Sequence, residues 1–68
     1  MNDLAKVKHL MEHWIEHERE HAAAYEEWAE KIQHVENGEE IAAALREAAQ
    51  KLYESVECLI KLSSHHVD

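Results

Sequence analysis

With no proline and a single glycine, Gly38, this chain of 68 residues has one obvious place to turn. Asn37-Gly38 makes either a tight turn or a helix C-terminus with the glycine in the left-handed conformation. On both sides of it, apolar residues recur at helical spacing. Before the break the series is Leu4, Val7, Met11, Trp14, Tyr25, Trp28, Ile32 and Val35. These alternate three and four apart with one gap, a heptad with positions a and d filled. After the break come Ile41, Leu45, Ala48, Leu52, Leu59 and Leu62, with Ala42, Ala49, Val56 and Ile60 widening the face. Asn2 or Asp3 is a suitable N-cap, and Glu39 and Glu40 suit the positive end of a second helix.

The sequence therefore predicts an all-α fold in one domain, residues 1–68. Helix 1 is expected over about 3–36, the turn at 37–38, and helix 2 over about 39–63. A short connection makes the two an antiparallel hairpin. Two helices cover only one side of each other, so Trp14, Trp28 and Tyr25 stay partly wet in a lone hairpin. A chain this short buries little surface, and its single cysteine gives no internal disulfide. A coiled-coil homodimer, two hairpins in a four-helix arrangement, is the expected remedy.

Charge narrows the function classes. Fifteen carboxylates against seven lysines and arginines give a formal net charge of −8, with no basic cluster. Nucleic-acid binding needs a basic footprint that is missing here. No apolar run approaches the roughly 20 residues of a membrane span, and the N-terminus has no signal-peptide core. The expectation is a cytoplasmic protein with a reduced thiol.

Seven histidines are the compositional anomaly. Continuing the helix 1 heptad through its gap puts Glu18 at an a position and His21 at a d position. Folding helix 2 back sets them opposite Ser55 to Cys58, a polar layer matched across the hairpin. Buried polar groups need partners and can fix register, so a metal-free specificity layer is the plain alternative. But His9, His13, His17 and His21 run at strict steps of four. Each step rotates about 40° around a helix, so the row winds from solvent toward the seam. Imidazoles four apart can close on one ion at about 2.0–2.1 Å per bond. The outer two of three converge poorly, so a fuller site recruits ligands from a second chain. The spacing points to a first-row metal: imidazole suits Ni(II), and Zn, Cu or Co bind such sites too. Ligand histidines must be neutral, so binding is expected to weaken as pH falls through the usual imidazole range near 6.5. His34, His65, His66 and Cys58 are weaker candidates.

The same stretch spells two protease signatures, H-x-x-E-H at His13–His17 and H-E-x-x-H at His17–His21. Both need a third ligand and a substrate cleft that a hairpin does not supply. A di-iron carboxylate bundle could use Glu18-x-x-His21, but helix 2 places Ser55 and Cys58, not a glutamate, in that layer. An enzyme is not expected.

HWIEHEREH, His13 to His21, resembles the H-[WF]-x2-H-x3-H motif of the CooJ family, histidine-rich nickel chaperones of carbon monoxide dehydrogenase maturation. The resemblance implies a homodimeric coiled coil and a nickel site at the dimer interface. It also implies roles in nickel delivery and storage, with a nickel enzyme or its accessory proteins as partners. His13, His17 and His21 carry over as ligands and Trp14 as the motif aromatic; His9 lies outside the motif. One departure matters: the family carries a long C-terminal histidine tail, whereas this sequence reads His65-His66-Val67-Asp68.

Overall fold

A computed structural model describes the backbone of residues 2–65 and the side chains of residues 2–61. It holds two helices, α1 (Asp3–Ile32) and α2 (Glu39–His65), packed side by side as a hairpin. The molecule measures 52 × 19 × 13 Å. Asn2 caps α1, its Oδ1 accepting from the Ala5 backbone N–H at 2.8 Å. The Leu62 side chain and the His65-His66 tail sites lie outside what is described.

Helix 1 stops four residues short of the expected 36. Val35 N–H donates to the Ile32 carbonyl and Gly38 N–H to the Val35 carbonyl, replacing the helical ladder with consecutive turns. The left-handed residue is Asn37, at φ 65°, not the glycine. Asparagine tolerates that region because its short side chain bonds locally. Gly38 has a different job. A Cβ there would collide with the Ile32 backbone carbonyl, so only glycine lets the returning chain pass this close. The Gly38 carbonyl then accepts from Ala42 N–H and starts α2. Gly38→Ala is expected to destabilise by about 1–3 kcal/mol, since backbone rather than a flexible side chain must give way. That corresponds to a melting temperature lower by several degrees in a thermal scan.

The seam also departs from the a/d expectation. The buried residues are Met11, Ala22 and Ala29 on α1, and Ala42, Ala49 and Val56 on α2. With half-buried Ile15, Glu18, Tyr25 and Ile32, the α1 seam occupies positions a and e of the heptad. The expected d residues point away: Val7 is 42 % exposed, Trp14 42 % and Trp28 56 %. Size is the reason. Alanines at Ala22, Ala29, Ala42 and Ala49 let two backbones approach closely, and an indole at those levels would hold them apart.

One long edge of the hairpin is polar. Arg46 donates to Gln33 Oε1 at 2.8 Å, and the Tyr53 hydroxyl donates to Glu26 Oε1 at 2.8 Å. That bond, with the Glu26 charge adding to it, raises the Tyr53 pKa above the usual phenol value. On another edge Lys31 sits 4.6 Å over the Trp28 ring.

Candidate metal centre

An uninterrupted helical stretch fixes the histidine row. Met11, Ile15, Glu18 and Ala22 anchor α1 against α2, which turns His13, His17 and His21 to the outside. Their rings form a ladder. His13 and His17 are tilted at 5.8 Å between centroids, and His17 and His21 are stacked at 4.7 Å with 28° between planes. Tyr25 continues it at 6.4 Å from His21, an extension the sequence reading assigned only to packing. Among the described residues His9 makes no ring contact with this ladder.

The closest approach is between Nε2 of His17 and Nε2 of His21, 3.2 Å apart. Two nitrogens bound to one ion at about 2.0–2.1 Å lie about 2.9 Å apart when cis-octahedral and about 3.4 Å apart when tetrahedral. The observed separation falls between these. Without an ion, the same geometry is a hydrogen bond between the two imidazoles, its direction set by their tautomers. His13 lies one turn further and opens on Glu16 and Glu20. Among the described residues, no three histidine, cysteine or carboxylate groups of one chain converge to hold a metal.

The expected polar layer forms in part. Ser55 Oγ donates to both Glu18 carboxylate oxygens, at 3.1 and 3.3 Å, part-buried between the helices. His21 does not join it: it is exposed and pairs with His17 instead. Helical phase accounts for this, because the seam follows a and e, and His21 at d is left on the flank. Trp14, His17, Glu18, His21 and Leu59 line a cavity of about 230 Å³. Leu59 was not foreseen near the site. Cys58, one residue earlier, is an exposed free thiol, and His34 is exposed in the turn. Glu54 and Glu57 are exposed too, so α2 brings no glutamate to the Glu18 layer.

Ser55→Ala would leave the Glu18 carboxylate without its partner. The expected cost is about 1 kcal/mol, tempered by partial exposure. Glu18→Leu combined with Ser55→Ala should recover it, because removing both partners is close to neutral. Chemical denaturation of the three variants measures this.

The fold and site together define a small all-helical hairpin with a paired imidazole on its open flank. A family model described as Domain of unknown function (DUF8180) matches residues 7–65, and the chain belongs to that family. An uncharacterized protein of Archaeoglobus fulgidus is 45 % identical over 58 residues, spanning 85 % of this chain and 89 % of its own length. No solved structure matches the chain. None of the helices among the described residues is long and apolar enough to cross a membrane.

Proposed function

We propose that this protein is a metal-binding accessory protein and not an enzyme. It takes up Ni(II) through His17 and His21, with His13 on the same row, and a second copy completes the ligand set. The observation that carries the reading is the 3.2 Å separation of the two Nε2 atoms, a spacing suited to chelation. Divalent zinc, copper and cobalt fit the same donors. The preference for nickel, and delivery or storage for carbon monoxide dehydrogenase maturation, rest on the likeness of His13–His21 to the CooJ motif. A pair of imidazoles on an open flank suits a carrier, since ligands reached from solvent allow the ion to enter and leave.

A metal-free coiled coil, in which the two histidines simply hydrogen-bond, is the second reading. Calorimetric titration of Ni(II) into the wild type and His17→Ala separates them. We expect affinity to fall at least about tenfold in the variant, a loss of about 1.4 kcal/mol. Unchanged affinity and stoichiometry would overturn the site. Light scattering at micromolar concentration tests the dimer, and a monomer mass would rule it out.

A further inference from the structure

Among the described residues every lysine, arginine, aspartate and glutamate is exposed except Glu18, which is half-buried in the seam. Its partner does not account for the charge. Ser55, a neutral donor on α2, bonds both carboxylate oxygens at 3.1 and 3.3 Å. The ion pairs among the described residues are Lys31–Glu27 and Arg46–Glu30, so no lysine or arginine neutralises Glu18. A layer that only set register would be served by a neutral side chain, as a single asparagine does in a coiled coil. A carboxylate costs more to draw out of water, and a nearby cation offsets that cost.

Glu18 also borders the histidine pair. It shares with Trp14, His17, His21 and Leu59 the lining of the cavity of about 230 Å³. The indole and Leu59 are apolar walls. Water therefore screens Glu18 less than it screens Glu16 and Glu20, which are exposed beside His13.

We infer that Glu18 is the counter-charge for a divalent ion held by His17 and His21, and that Ser55 is the residue that positions it. The inference rests on the proposed metal-binding function and adds two residues to it. Glu18 acts from outside the coordination sphere, since among the described residues no three donor groups converge to hold a metal. Two neutral imidazoles bring no negative charge to a dication. A weakly screened carboxylate supplies it, and can accept hydrogen bonds from water carried by the ion. Outer partners of this kind change metal affinity by about 10–100-fold. Ser55 matters because a free glutamate side chain has many rotamers, most of which swing its carboxylate into solvent. Held from α2, the charge stays at the seam, and ion uptake is linked to the closed hairpin.

Calorimetric titration of Ni(II) into variants of the full chain tests this beside His17→Ala. Glu18→Gln keeps the shape of the side chain and still accepts from Ser55 through its amide oxygen. Its affinity should fall about tenfold. Glu20→Gln removes the same charge from an exposed position next to His21, and should cost less than about threefold. Ser55→Ala should fall between these two, and Ser55→Thr, which keeps the hydroxyl, should bind as the wild type does. Combining Glu18→Leu with Ser55→Ala separates binding from stability: the melting temperature should recover and the affinity should not. Equal losses in Glu18→Gln and Glu20→Gln would mean that net charge alone acts, and would overturn the inference. A combined variant that binds nickel like the wild type would do the same. Wild-type affinity in Glu18→Gln with weak binding in His17→Ala overturns the role of Glu18 and leaves the histidine pair standing. Wild-type affinity in both overturns the histidine site as well.

Discussion

Ala29→Asp is expected to abolish the fold. Ala29 is fully buried, at 0 % exposure, in the alanine seam between α1 and α2. A carboxylate there loses its hydration, and Arg46, whose guanidinium binds Gln33 one turn along α1 at 2.8 Å, is already engaged. Among the described residues no polar or charged residue is buried. Leaving a charge buried and unpaired costs several kcal/mol. A core of this size rarely supplies more than about 3–5 kcal/mol, so the penalty exceeds the reserve. Far-UV circular dichroism should show loss of helix at 25 °C. Ala23→Asp, the same change at an exposed position of the same helix, should stay within about 0.5 kcal/mol of the wild type. Ala29→Leu should fall between the two, at about 1–3 kcal/mol, because it overpacks the seam without adding charge. If Ala29→Asp melts like Ala23→Asp, the alanine seam is wrong.

Nickel should raise the melting temperature sharply, and His17→Ala should remove the rise. A ligand that binds only the folded chain stabilises it by about 2.7 kcal/mol at a hundred times its dissociation constant. For a domain of this size each kcal/mol is worth about 4–8 °C, so the shift should exceed about 10 °C. The pair His17–His21 exists only while α1 is helical, which ties the ion to the fold. His21→Ala should behave like His17→Ala, because each leaves a single imidazole of the pair. His9→Ala should keep most of the shift, since among the described residues His9 lies outside the ring ladder. A wild type whose melting point ignores nickel would favour the metal-free coiled coil.

Much of this molecule was legible in the sequence. Asn37-Gly38 marked the reversal, and the heptads on either side gave two antiparallel helices. The facing of Glu18 and Ser55 followed from folding one heptad back on the other. The histidine row followed from its repeat of four. Less legible was the end of α1. Gln33 to Asn37 carry no proline to stop a helix, and the turns there close through backbone bonds that composition does not announce. Leu59 beside the histidines was hidden for a similar reason, since its neighbours depend on how α2 is rotated about its own axis.

The sequence by itself determined that the chain is a helical hairpin and that His13, His17 and His21 follow one another at steps of four along α1, a row expected to end in the seam. Local rules suffice for that: spacing, capping and the single break act within a few residues of one another. Only the tertiary structure decided which stripe of α1 closes on α2. The a/d stripe and the a/e stripe are both apolar enough in a list of residues. The choice fell to volume, because helices joined by a short turn must approach closely, and alanine permits this where tryptophan does not. That choice leaves Trp14, His17, His21 and Trp28 facing outward together.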